Sequence, residues 1–190
     1  MKHFVKGIFS LLLLIPSWVV SSQEKPVPSP NLEETLEWSP SRKLTWSDYW
    51  ASPDPNSDAA ASTTTYLTIS YNITSSNFSY KIESRFSKSR SWGLYKTAYI
   101  LSHEQGHFDI SEVFARRLYK KMLDYKFDKK NYQKDLKKIY QDVLDEKKEM
   151  QEKYDEETNH SINKEKQAEW LKKIQSLLIE YEDYADYAKN

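Results

Sequence analysis

The hydrophobic period of this chain changes once along its length, and that change restricts the fold it can adopt. Leu67, Ile69, Tyr71 and Ile73 alternate with Thr68, Ser70 and Asn72; Phe78, Tyr80, Ile82 and Phe86 repeat the pattern, with Ser84 as the one lapse. Alternation of two, rich in β-branched and aromatic residues, marks strands with one buried face. Thr74-Ser75-Ser76-Asn77 between the runs suits a hairpin loop, so an antiparallel ribbon is expected. From about Leu94 the period becomes helical: Leu94, Ala98, Leu101, Phe108, Ala115, Leu118 and Met122 fall on one side of a helix of roughly 30 residues. A second helix, from about Asn131 to Lys153, turns Tyr132, Leu136, Ile139, Tyr140, Val143 and Leu144 inward and leaves a charged, solvated outer face. A third, from about Lys164 to Ala188, carries the stripe Trp170, Ile174, Leu177, Leu178 and Tyr181. The expectation is an α+β fold, a small antiparallel sheet followed by three long helices.

Two segments precede this unit. Lys2, His3 and Lys6 lead into an apolar run from Ile8 to Val20, closed by small residues, which reads as a secretory signal peptide over residues 1–22 with cleavage near Ser22. Pro16 and Ser17 break the run short of the roughly 20 residues a membrane span needs. Residues 23–40, with Pro26, Pro28, Pro30 and Pro40, read as a Pro-rich lead-in to a single domain over 41–190. A secreted or periplasmic protein with no stable membrane span is therefore expected.

Composition then excludes several chemistries. The 28 basic and 28 acidic side chains become 26 and 28 once Lys2 and Lys6 leave with the leader, a balance that argues against nucleic acid as a partner. With no cysteine there is no disulfide scaffold, thiolate zinc site or cysteine nucleophile. Three glycines cannot build a phosphate-cradling loop. Of four histidines, His3 goes with the leader, leaving His103, His107 and His160.

Two of these stand in Ser102-His103-Glu104-Gln105-Gly106-His107-Phe108, an H-E-x-x-H pattern inside the first helical run. At about 100° per residue, His107 lies about 40° from His103 and one turn along, so both imidazoles can hold one zinc ion from the same side. Glu104 falls at about 100°, beside the metal, where a carboxylate can take a proton from an activated water and pass it to a leaving amine. A catalytic zinc needs a third protein ligand and an open fourth position. Glu112 lies about 180° round the helix and reads as the i,i+4 partner of Arg116; Asp109, at about 240°, also faces away. That leaves His160, in a polar break between the second and third helices, with Asp155 and Glu157 as alternatives. Tyr154 is a candidate for oxyanion stabilisation, and the run Phe78 to Phe86 for a substrate-binding strand edge.

Three blocks of residues resemble a bacterial family catalogued as domain of unknown function 922 and described as predicted secreted zinc-dependent proteases. The first is Leu44-Thr45-Trp46-Ser47-Asp48-Tyr49 with Ala59-Ala60-Ala61 and Thr63. The second is Ser91-Trp92 with Leu101 to Ile110, Glu112 and Arg116; the third is Tyr154-Asp155, Thr158-Asn159-His160, Gln167 and Trp170. The resemblance implies a zincin-like fold with an active helix, His103 and His107 as zinc ligands and Glu104 as catalytic base. It also favours His160 as third ligand and makes Asp109 part of the family pattern. A glycine associated with the position after that histidine is here Ser161. The expected activity is zinc-dependent hydrolysis of a peptide or protein substrate. The competing readings are a zinc hydrolase of a non-peptide amide such as a cell-wall bond, and a non-catalytic envelope-binding protein, for which 14 Tyr and 6 Trp would suit a sticky surface.

Overall fold

A computed structural model describes residues 34–74 and 78–189. The segment read as a leader, most of the lead-in, and Ser75 to Asn77 of the hairpin loop lie outside the described residues. In chain order the strands are β1 (Thr35–Glu37), β2 (Ala61–Ser62), β3 (Thr65–Ile73), β4 (Phe78–Ser87) and β5 (Trp92–Gly93). Three helices follow, α1 (Ala98–Asp124), α2 (Tyr132–Thr158) and α3 (Lys164–Glu180), then a 3-10 segment, Glu182–Lys189.

The alternating runs pair as β3 and β4, antiparallel, with Ile69 opposite Ile82 and Tyr71 opposite Tyr80. This register gathers the apolar residues on one face, because a slip of one would turn all of them to solvent. Ser84, the lapse in the alternation, is buried opposite Leu67 and its hydroxyl donates to Ser111 on α1 at 3.2 Å. A small polar residue there lets the helix close on the sheet. β1 adds to the other side of β4, Leu36 opposite Phe86, so the stretch read as lead-in already joins the sheet. β2 and β5 form a separate two-stranded pair.

Thr97 starts α1 by accepting the Ile100 amide on its hydroxyl at 3.1 Å. Leu94 therefore precedes the helix, and it is exposed. The one-sided stripe expected for α1 is too narrow: every residue from Phe108 to Arg116 is buried, since the sheet covers one side, α2 and α3 another, and the C-terminal segment a third. Each large side chain so enclosed, such as Ile110, Phe114 and Leu118, contributes about 1.5–3 kcal/mol of burial. The polar members of this stretch are partnered. Glu112 accepts from Arg116 Nε at 2.8 Å and from the Tyr187 hydroxyl at 2.5 Å, which fastens the C-terminal segment to α1.

α2 has the expected amphipathic form, with Leu136, Val143 and Tyr154 buried and most of its charges outward. α3 begins at an Asn163 cap and buries Gln167, Trp170, Ile174 and Leu178. On the opposite flank of α1, Leu44, Tyr49, Phe86 and Phe108 form a second apolar cluster. Gly93 is required there, because a β-carbon would stand 2.5 Å from the Trp46 ring. Among the described residues no helix is long and apolar enough to cross a membrane. The architecture is thus a mixed α+β one, small antiparallel sheets against three long helices.

Candidate metal centre

His103 and His107 lie on one face of α1, as their spacing requires, and the C-terminal turns of α2 cross that face. The crossing point is a contact between Tyr154 and Gly106. The Tyr154 ring stacks on the His103 imidazole, centroids 4.4 Å apart and planes inclined by 21°, and its hydroxyl donates to the His103 carbonyl at 3.2 Å. The next residue of α2 is then carried over the histidine pair. Asp155 Oδ1 stands 3.1 Å from His103 Nε2 and 3.0 Å from His107 Nε2, and the two Nε2 atoms are 3.2 Å apart.

Three potential ligand atoms thus converge on one point. Ligand atoms around a tetrahedral zinc, with bonds of about 2.0–2.1 Å, are separated by roughly 3.3 Å, close to this triangle. His103, His107 and Asp155 could hold a metal ion. The remaining atoms of the group are arranged accordingly. Gln151, one turn before Asp155 on α2, accepts the His107 Nδ1 proton on its side-chain oxygen and donates its amide to the His107 carbonyl at 2.9 Å. This double contact commits Nδ1 of His107 and turns its Nε2 toward Asp155, so that Nε2 is the nitrogen a metal would take in place of a proton, the usual device for orienting a metal-binding imidazole.

The electrostatics follow from the same contacts. Burial disfavours the His107 imidazolium, but the hydrogen bond and charge of Asp155, with the charge of Glu104, carry it up to about 9. Burial likewise opposes ionisation of Asp155, yet hydrogen bonds from both imidazoles hold its carboxyl well below the usual carboxylate range. Glu104 is 4 % exposed, lines the same cavity as the histidines, and has one carboxylate oxygen, Oε2, without a hydrogen-bond partner among the described residues. The cavity has a volume of about 650 Å³. Its walls are α1, the inner face of α2 with Leu144 and Lys147, and the segment Ala59 to Thr65, which is all small side chains.

The other sequence candidates fall elsewhere. His160 is at the rim of the cavity: its side chain is 66 % exposed and its Nδ1 lies 3.8 Å from Asp155 Oδ1. Asn159, His160 and Ser161 all have positive φ, 47°, 48° and 74°, where the chain reverses after α2. Glu157 accepts the Trp170 indole proton at 2.7 Å and ties α2 to α3. Asp109 faces away from the cavity, accepting from Trp38 and Gln105 at 2.7 and 2.8 Å. Glu112 is the Arg116 partner anticipated from i,i+4 spacing. Tyr154 is not positioned for an oxyanion, because its hydroxyl is engaged beneath the histidines. No residue of β4 lines the cavity; the strand segment that does is Ala59 to Thr65. Gln151 was not anticipated, and its signal, i−4 from Asp155, becomes readable only once Asp155 is known to face the histidines.

A family model, that of a bacterial protein of unknown function (DUF922), matches residues 36–161, about two thirds of the chain. The match takes in the sheet, α1 and α2, and every residue placed above around the histidine pair. No curated protein and no solved structure matches the chain.

Proposed function

Because the chain belongs to DUF922, a bacterial family of unknown function, its activity has to be argued from its own residues, and we propose that it is an exported zinc-dependent peptidase of zincin-like design. The observation that carries this reading is the convergence of His103 Nε2, His107 Nε2 and Asp155 Oδ1 within 3.0–3.2 Å of one another, beside the buried carboxylate of Glu104, whose Oε2 has no hydrogen-bond partner among the described residues. A zinc ion held by these three groups supplies an activated water and an electrophile for a carbonyl oxygen. Glu104 accepts the proton of the attacking water and returns it to the leaving amine, the role its place beside the histidines and its unpartnered oxygen support. Gln151 keeps His107 in the tautomer that presents Nε2. The wall of small residues from Ala59 to Thr65 gives an extended chain room to lie against backbone, which favours peptide as the substrate class. The leader read over residues 1–22 supports export to the periplasm or beyond.

The test has two stages. The chain lacking residues 1–22 is expected to carry about one equivalent of zinc, lost on replacement of His103 and His107 by Ala. Cleavage of a peptide library by the wild type and not by Glu104→Gln then distinguishes a peptidase from a metal-binding envelope protein. Negligible zinc, or zinc surviving the loss of both histidines, overturns the reading.

A further inference from the structure

Asp155, Gln151 and Lys147 occupy successive i,i+4 positions on the face of α2 that lines the cavity. The first belongs to the ligand group and the second orients a ligand. Lys147, two turns away and roughly 12 Å along the helix axis from Asp155, belongs to neither. Its ammonium donates to the Thr65 hydroxyl at 3.0 Å across the groove. Among the described residues it makes no ion pair with a carboxylate, whereas its neighbours on α2 do: Lys138 pairs with Asp142, Lys148 with Glu152 and Lys153 with Glu157. Burial pulls the Lys147 amine down to about 8. A cation withdrawn from water beside a single neutral hydroxyl is costly, and among the described residues no carboxylate pairs with it to offset the cost. The carboxylates lining the cavity are Asp54, Glu104 and Asp155, and none of them pairs with the Lys147 ammonium.

We propose that Lys147 is the residue by which this groove recognises a carboxylate on its substrate, about three to four residues of extended chain from the reacting carbonyl. The spacing follows from a rise of about 3.3 Å per residue over the roughly 12 Å between Lys147 and Asp155. The inference rests on the peptidase reading for the identity of the substrate as a chain, and on the geometry alone for the carboxylate. Two sources share that chemistry, the free C-terminus of a peptide and an acidic side chain within it.

The experiment uses zinc-loaded Glu104→Gln protein, so that bound peptides persist, and pools of acetylated hexapeptides of randomised sequence. The pools are made as free acids or as amides, with Asp and Glu either included or left out, and retention is read by mass spectrometry. Retention of carboxylate-bearing pools about ten- to hundredfold above the neutral amide pool is expected, with the preference lost in Glu104→Gln/Lys147→Met and kept in Glu104→Gln/Lys147→Arg. Preference for free acids whatever their side chains identifies the terminus; preference for Asp- and Glu-containing pools whatever their ends identifies the side chain. Equal retention of all pools, or a preference that survives Lys147→Met, overturns the proposal. In parallel, wild type that cleaves none of these pools while the Lys147-dependent preference stands removes the peptidase reading and leaves carboxylate recognition intact.

Discussion

Tyr154 lies against Gly106 so closely that a β-carbon on residue 106 would stand 2.6 Å from its hydroxyl and 2.9 Å from the ring carbon that bears it. The bare turn of α1 between the two histidines is therefore the seat on which α2 rests. Since Asp155 follows Tyr154 directly, the depth of that seat sets the distance from the carboxylate to both imidazoles. A glycine that weakens a helix by about 1 kcal/mol relative to alanine is tolerated in the middle of α1 because it lets the two helices approach.

Gly106→Ala should thus do the opposite of what helix propensity favours. The added methyl forces Tyr154 and the end of α2 outward, for an expected loss of about 1–3 kcal/mol in stability. The larger effect falls on the ligand group, with zinc affinity down about tenfold or more, a range set by the loss of oriented ligands. Chemical denaturation and chelator competition measure the two separately. A variant as stable as wild type with unchanged zinc affinity would show that α2 is not seated this way.

Asp155→Ala and His160→Ala separate the carboxylate from the rim histidine. Removing Asp155 takes away the atom 3.0–3.1 Å from both imidazoles, and zinc retention is expected to fall about a hundredfold or more. Removing His160, 66 % exposed and 3.8 Å from Asp155, beyond hydrogen-bond distance, is expected to cost less than about tenfold, below the loss typical of a hydrogen-bonded outer partner. Metal content after dialysis against a weak chelator reads both. The reverse order would show that the loop closes over the ion and brings His160 into its coordination.

Gln151→Leu keeps the side chain's bulk but removes both contacts with His107. With its tautomer no longer fixed, His107 should bind zinc about 10- to 100-fold more weakly while the fold is retained. Circular dichroism checks the fold, and competition against a chromogenic chelator checks the affinity. Unchanged affinity would mean that packing alone orients the ring.

Much of this was legible in the residues, and the boundary of legibility has a physical cause. Periodicity identified the β3–β4 ribbon and the three helices because burial of one face is a local pattern repeated many times. The H-E-x-x-H spacing put His103, His107 and Glu104 on one turn because the helix alone determines their relation. The third group was not decidable that way. Counting imidazoles favours His160, but which residue near the end of α2 faces the histidines depends on where α2 crosses α1, and that is settled by Tyr154 against Gly106, 48 positions apart in the chain. One signal was available: Gly106 is one of only three glycines, placed in mid-helix, where a glycine usually marks close approach. β1 escaped notice because three residues are too few to show alternation.

Ser161→Gly is expected to stabilise the fold. Ser161 has φ 74° and is buried, the third of three consecutive residues in the left-handed region. A side chain there costs about 1–2 kcal/mol, offset in part by the extra freedom glycine gains when unfolded, so a net gain of about 0.5–1 kcal/mol is expected. Thermal melts of the two proteins decide it.

Lys147→Met should make the protein more stable and a poorer binder at once. The amine titrates at about 8 in the fold against an ordinary 10.5. Below about 8 both folded and unfolded chains hold the proton, and the fold bears the full cost of a half-buried charge. Between about 8 and 10.5 the unfolded chain binds a proton that the folded chain does not, so stability rises with pH across that window; above it the cost is gone. Replacement by methionine removes the cost at every pH. The expected gain at pH 7 is of order 1–2 kcal/mol, smaller than the whole shift implies because the side chain keeps some contact with water. Denaturant midpoints should therefore rise between pH 8 and 10 for wild type more than for Lys147→Met, and the two proteins should converge at high pH. Carboxylate retention by the Glu104→Gln protein should decline over the same window as the ammonium is lost. If Lys147→Met instead destabilises the fold at pH 7, the amine is held there by its bond to Thr65 and serves the sheet rather than a ligand.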